Sequence, residues 1–331
     1  MKRKSELDNV LYQDLLREFI SLESDEARTG LLVNINENGE ALDAIFYQAA
    51  IDNSINAFVY CLSSRTLSQI LEAFDLASSK GHSNIIFKGL QHINENFQGE
   101  LPDIITDLMY KEASKENFDF VTLLIQEVTR IIPDELENIV NEVFCGVAKY
   151  GPLKAVQFLS DSALPLNEGQ AILEAANTSQ IEIIDYIVNN FKKNSADLKT
   201  ILDDALGVAA ECGHIILVQY LIEKNAADPS ADNNYAIYNA YGHKHVNIAL
   251  YLASFPCVLQ SLDEHFLTEL DNLKRTMKAQ ELTTYGNSYV NFFPSASELN
   301  KDINQNSCPL SLNLIQKELD QSNEVFGFIL K

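Results

Sequence analysis

Apolar residues in this chain recur at helical spacing, and the spacing itself recurs. Ile215, Leu217, Val218, Leu221 and Ile222 fall at i, i+2, i+3, i+6 and i+7, an apolar face wide enough to be covered from both sides. Just ahead of them, Ala209 and Ala210 let a preceding helix approach its neighbours closely, and Gly213 marks a turn that accepts a left-handed backbone. The same arrangement appears in AAIDNSINAFVYCL from Ala49, ASSKGHSNIIFKGL from Ala77, EASKENFDFVTLLI from Glu112 and VAKYGPLKAVQFLS from Val147. It continues in AANTSQIEIIDYIV from Ala175, AAECGHIILVQYLI from Ala209 and AYGHKHVNIALYLA from Ala240. The turn position is held in order by Asn53, Gly81, Glu116, Gly151, Ser179, Gly213 and Lys244, at intervals of 28, 35, 35, 28, 34 and 31 residues. Alternating strand patterns are nearly absent. The pattern therefore predicts an all-α chain of about seven stacked helix-turn-helix units.

Two flanks lie outside this array, so the expected organisation is 1–41, 42–254 and 255–331. In the first, Ser5-Glu6-Leu7-Asp8 resembles a capping box, and Leu7, Val10, Leu11, Leu15 and Phe19 follow at helical spacing. They predict a helix that covers the first unit. In the last, residues 258–282 read as an amphipathic helix, 284–309 as a long polar loop carrying Tyr285, Tyr289, Phe292 and Phe293, and 310–330 as a final helix.

The units resemble the ankyrin repeat family, whose consensus ends its first helix in AAxxGH and continues LEVVKLLLxxGAD. AAECGHIILVQYLIEKNAAD, residues 209–228, is the nearest copy, and the resemblance covers roughly residues 42–254. The copies are degenerate. The family's TPLH tetrapeptide is replaced by Asp204-Ala205-Leu206-Gly207 and by Tyr235-Ala236-Ile237-Tyr238, and its Gly-Ala-Asp hairpin survives only as Asn225-Ala226-Ala227-Asp228. The resemblance implies an ankyrin-like solenoid with irregular connections, helical caps at both ends and a concave groove that binds protein. In that family the two residues before the turn commonly touch partners. Carried over, they are Ile51-Asp52, Ser79-Lys80, Ser114-Lys115, Lys149-Tyr150, Asn177-Thr178, Glu211-Cys212 and Gly242-His243.

Charge narrows the choice of partner. The 331 residues include 47 acidic and 24 basic side chains, a formal charge of −23 that disfavours nucleic acid and anionic lipid, whose capture needs clustered cations. Against that background Lys80, Lys115 and Lys149 form a local basic strip suited to an acidic or phosphorylated segment of a protein partner, unless they serve only to solubilise the groove. Tyr150 is the aromatic anchor of this set, and Thr178, Cys212 and His243 extend it.

Catalytic chemistry has a weaker claim. Cys212, His214, His243 and His245 hold matching places in adjacent units, but zinc ligands converge to about 2.0–2.3 Å, and helix spacing does not require these side chains to meet. A histidine after glycine is the consensus turn residue of the family, so no metal and no cofactor is assigned. Cys212 with His243 or His214, or Cys257 with His265, could form a thiolate-imidazole pair, which leaves a Cys/His-dependent hydrolase or transferase as the alternative function. No third group is specified by spacing to orient the imidazole. P-loop, GxGxxG, HExxH and GxSxG motifs are absent.

Cys61, Cys145, Cys212, Cys257 and Cys308 are odd in number and widely spaced, the usage of reduced thiols in a cytoplasmic setting. The N-terminus MKRKSELDNV brings in Glu6 and Asp8 before any apolar run, so it is not a Sec signal, and no segment reaches transmembrane length. Irregular arrays rich in Asn and Ile resemble the ankyrin-repeat effectors of intracellular bacteria such as Legionella, and those of giant viruses. The tail KELDQSNEVFGFILK, acidic at Glu318, Asp320 and Glu324 and then apolar at Phe326, Phe328 and Leu330, is similar to the ends of type IV secretion effectors. The expectation is a cytoplasmic protein that, if delivered into a host cell, travels by a non-Sec route.

Overall fold

The structure, a computed structural model, describes residues 15–284 apart from 16, 23, 35–38, 163 and 191–194. Every regular element among the described residues is helical. The chain divides into two compact units, residues 1–167 and 168–331, within the stretch expected to form the array.

In the first unit α1 (Asp25–Asn34) precedes four helix pairs: α2 (Gly39–Ile51) with α3 (Ile55–Leu62), α4 (Leu67–Ser79) with α5 (Ser83–Asn96), α6 (Leu101–Ser114) with α7 (Phe118–Ile131), and α8 (Leu136–Tyr150) with α9 (Leu153–Ser160). Short 3₁₀ turns at Gln98–Glu100 and Pro133–Glu135 lead into α6 and α8. The second unit pairs α10 (Glu168–Asn177) with α11 (Ile181–Asn189), α12 (Ser195–Glu211) with α13 (Ile215–Asn225), and α14 (Ala231–Gly242) with α15 (Val246–Leu252). It ends in α16 (Pro256–Ser261) and α17 (Glu264–Thr284).

The same places in each pair go to the core. Three residues before the place beneath each turn, held by Ala49, Ala77, Glu112, Val147, Ala175, Ala209 and Ala240, stands a large apolar one: Phe46, Phe74, Met109 and Phe144 in the first unit, Ile172, Leu206 and Ile237 in the second, all at most 2% exposed. Burying a side chain of this size contributes about 1.5–3 kcal/mol. In the second helices the buried set falls at i, i+1 and i+4, as in Ile85, Ile86 and Gly89 of α5 or Leu217, Val218 and Leu221 of α13.

The turns within pairs share one backbone. Asn53, Gly81, Glu116, Ser179, Gly213 and Lys244 have φ of 58, 75, 60, 62, 81 and 65°. At each, the next residue's N–H donates to the carbonyl five residues back: Ser54 to Ala49, His82 to Ala77, Asn117 to Glu112, Gln180 to Ala175, His214 to Ala209 and His245 to Ala240, at 2.8–3.0 Å. This is the Schellman helix ending, which satisfies a carbonyl the helix leaves open. Gly151 departs from it, with φ −90° and ψ 178°. Its successor Pro152 has no N–H to donate and disfavours helical backbone before it, so the left-handed turn expected at Gly151 does not form.

The flanks also differ from the periodicity. The single helix expected over 258–282 is two helices, because Leu262 is extended and the Asp263 carboxylate accepts the Phe266 N–H at 2.8 Å, starting α17 afresh. Asp204-Ala205-Leu206-Gly207 lies inside α12, where Gly207 leaves room for the Tyr235 ring: a β-carbon there would be 2.6 Å from it. In α14, Asp232, Asn233 and Asn234 are left-handed, with φ of 45, 56 and 66°, and regular helix follows. In the first unit Arg28 pairs with Asp52 at 3.3 Å, donates to the Ser54 hydroxyl and lies 5.3 Å from the Phe19 ring centroid, joining α1 to the first turn. The capping sequence Ser5–Asp8, the 284–309 loop aromatics and the last helix at 310–330 lie outside the described residues.

Candidate interaction surface

Six of the seven turns share a backbone, so the residues just before those apices occupy equivalent places; Lys149 and Tyr150 precede the exception at Gly151. In the first unit Lys80 is exposed at the end of α4. Tyr150 is 67% exposed, and the Lys149 ammonium lies 5.5 Å from its ring centroid, within cation-π range. Lys115 is different. Its ammonium donates to Glu112 at 2.8 Å, so this member of the expected strip is neutralised within its own turn. Other lysines nearby are matched too: Lys111 pairs with Asp75, and Lys154 with the apex residue Glu116 at 2.7 Å.

Glu112 is the residue that the sequence reading passed over. It stands where the other pairs have Ala49, Ala77, Val147, Ala175, Ala209 and Ala240, and it is 1% exposed. A carboxylate so placed needs partners on every side. It accepts from Ser78 Oγ at 2.6 Å, Lys115 Nζ at 2.8 Å and Asn117 Nδ2 at 2.9 Å. Burial acts to raise its pKa, but the hydrogen bonds from Lys115, Ser78 and Asn117 outweigh burial and hold it below the ordinary glutamate value. The signal was available: a charged residue in a small apolar place, followed at i+3 and i+5 by a lysine and an asparagine.

In the second unit Thr178 and Cys212 are half-buried and His243 is exposed. His243 Nδ1 faces the Asn239 carbonyl at 3.1 Å and Nε2 lies 3.8 Å from Glu211. His214 Nε2 meets the Asn177 carbonyl of the preceding pair at 2.8 Å, and the His245 ring lies so close over Gly213 that a β-carbon there would come within 2.5 Å of it. In the first unit His82 Nδ1 reaches the Ala50 carbonyl of the pair before it at 3.2 Å. The histidine after the turn thus joins one pair to the last. His265 Nδ1, the other candidate base, is 3.8 Å from Glu269. Among the described residues no group of three or more His, Cys, Asp or Glu is placed to hold a metal ion. Burial pushes the Cys61 thiol up to about 12, which keeps it protonated and unreactive at neutral pH.

Compared with known proteins, the chain matches no family model, no curated protein and no solved structure.

Proposed function

We propose that the chain is a protein-interaction module of degenerate ankyrin-like repeats, taking its partner on the side chains that flank the turns. The observation that carries this reading is the recurrence of one turn geometry at Asn53, Gly81, Glu116, Ser179, Gly213 and Lys244, which gives the residues before each of these apices the same place within its own pair. Tyr150, with most of its ring in solvent beside Lys149, is the anchor in the first unit. Lys80 and Lys149 favour an acidic or phosphorylated segment of the partner. Thr178, Cys212 and His243 offer the corresponding row in the second unit. The ankyrin resemblance and the acidic-then-apolar tail support a role as an effector delivered into a host cell by a non-Sec route. No helix among the described residues is long and apolar enough to cross a membrane.

Side-by-side capture of host proteins by the wild type and by Tyr150→Ala tests the proposal. An anchor of this kind is worth about 2 kcal/mol or more, so the partner's affinity falls roughly thirtyfold with the fold unchanged. A Lys80→Glu, Lys115→Glu, Lys149→Glu variant that captured the same partner equally well would overturn the acidic-segment reading.

A further inference from the structure

Three consecutive residues at the start of α14 hold a backbone that L-residues avoid. Asp232, Asn233 and Asn234 have φ of 45, 56 and 66° and ψ of 52, 43 and 33°, all left-handed. There the β-carbon crowds the following carbonyl, so chains enter this region as single residues, as the turn apices of this protein do, and seldom as a run. Aspartate and asparagine tolerate it best among residues with a β-carbon, which accounts for the residue types but not for the run. The two ends of the segment are fixed from outside it. Upstream, the Asp228 N–H donates to Asp203 Oδ1 of α12 at 2.7 Å, and Asp228 Oδ1 accepts from the Ser230 N–H at 2.9 Å and the Ser230 hydroxyl at 2.7 Å. Downstream, Asn234 is 2% exposed, and its Nδ2 donates to Ser261 Oγ of α16 at 2.8 Å. Between these anchors Asp232 and Asn233 face solvent. A strained backbone persists only where its surroundings impose it, so the anchors hold the strain. Charge opposes the arrangement as well: burial, and then the charges of Asp203 and Asp232, push the Asp204 carboxyl above its ordinary value.

We infer that residues 232–234 form a strained latch, closed by the hydrogen bond from Asn234 to Ser261, that ties the start of the last pair to α16. When that bond opens, the three residues turn right-handed and α14 gains an ordinary first turn. Asp232 then moves away from Asp204, and the Tyr235 ring, seated against Gly207 in the closed state, shifts with the helix start. Because α16 carries Ser261 and leads into α17, the latch lets the C-terminal helices alter the face that α14 turns to α12. This device is independent of whether the residues before the turns receive a partner.

The test is NMR on the full chain labelled with ¹⁵N,¹³C-asparagine, in which the Asn234 resonances report the shares of left- and right-handed backbone. Ser261 is exposed, so Ser261→Ala removes the clasp without disturbing the core. Loss of a hydrogen bond that satisfies a buried amide raises the ratio of right- to left-handed backbone about tenfold. Ser261→Thr keeps the hydroxyl and stays closed, as the wild type does. Adding Asn233→Gly to Ser261→Ala reverses the rise about two- to fivefold, because glycine enters the left-handed region freely and disfavours the right-handed helix. Three results overturn the inference: Asn234 as left-handed in Ser261→Ala as in the wild type, a glycine substitution that increases the right-handed share, or hydrogen exchange in Ser261→Ala that rises equally in α10 to α13. The last would mean that Ser261 stabilises the second unit as a whole rather than closing a local latch.

Discussion

The third and the sixth turns have the same backbone and opposite interiors. At both, an apex residue is left-handed and the following N–H reaches the carbonyl five residues back, from Asn117 to Glu112 and from His214 to Ala209. At the sixth, the place beneath the turn holds Ala209, fully buried, and His214 reaches across to the Asn177 carbonyl at 2.8 Å. At the third, the same place holds a carboxylate enclosed by Ser78, Lys115 and Asn117. Backbone register and side-chain chemistry are separable here. The turn needs only a residue able to enter the left-handed region and a donor after it, whereas a buried charge needs every one of its partners.

Moving the charge without its partners is the most disruptive way to break the comparison. Ala209→Glu puts a carboxylate where Ala176, Cys212 and His214 stand in place of Ser78, Lys115 and Asn117. An unpaired buried charge costs about 3–5 kcal/mol, so the second unit loses much of its stability in denaturant unfolding. Supplying Ala176→Ser, Cys212→Lys and His214→Asn together recovers part of that loss. Full stability in Ala209→Glu alone would mean that the site beneath the turn is far more open than it looks.

Acid and alkali separate the two turns next. The pKa of Glu112 is lowered in the folded state, so its contribution is complete above the ordinary glutamate value near ~4.3 and is lost as pH falls through its lower folded value. Glu112→Ala removes three hydrogen bonds, costing about 1–2 kcal/mol at neutral pH, and flattens this acid dependence. In the second unit burial, followed by the hydrogen bond and charge of Asp185, pushes the Tyr220 hydroxyl up to about 12. A raised pKa reverses the sign: this contribution is present below the ordinary tyrosine value near ~10 and is lost as pH rises through about 12. Unfolding followed across pH thus shows Glu112→Ala altering only the acid limb and Tyr220→Phe only the alkaline limb.

The smallest effect sharpens the shared part. Lys244 holds a left-handed φ of 65° that glycine adopts freely. Lys244→Gly relieves that strain against a greater loss of chain entropy, raising stability by about 0.5–1 kcal/mol in thermal unfolding. Gly213→Ala does the opposite by a larger margin, since His245 occupies the space a β-carbon would take.

Much of this was legible along the chain. The turn apices, the small residue beneath all but the third and the apolar faces of the second helices follow from periodicity, and the left-handed backbone lies at Asn53, Gly81, Glu116, Ser179, Gly213 and Lys244. Gly151 was misread because the glycine was weighed and the proline behind it was not. The 258–282 helix was read as continuous because apolar spacing alone does not reveal that Asp263 caps a new start. Glu112 was lost among 47 acidic residues, although its place in the unit set it apart. Cys212 and His243 were singled out because they occupy matching places; the groups His243 faces, the Asn239 carbonyl and Glu211, are set by the fold and not by that spacing.

The sequence by itself determined the all-helical character and the turn positions, because the interactions that create them close within a few residues: i to i−4 helix bonds and the bond across each turn. Tertiary structure decided which distant groups meet these charges. Ser78 meets Glu112 across 34 residues and Lys154 meets Glu116 across 38. Such meetings depend on how neighbouring helices lie, and composition records only that the ions exist.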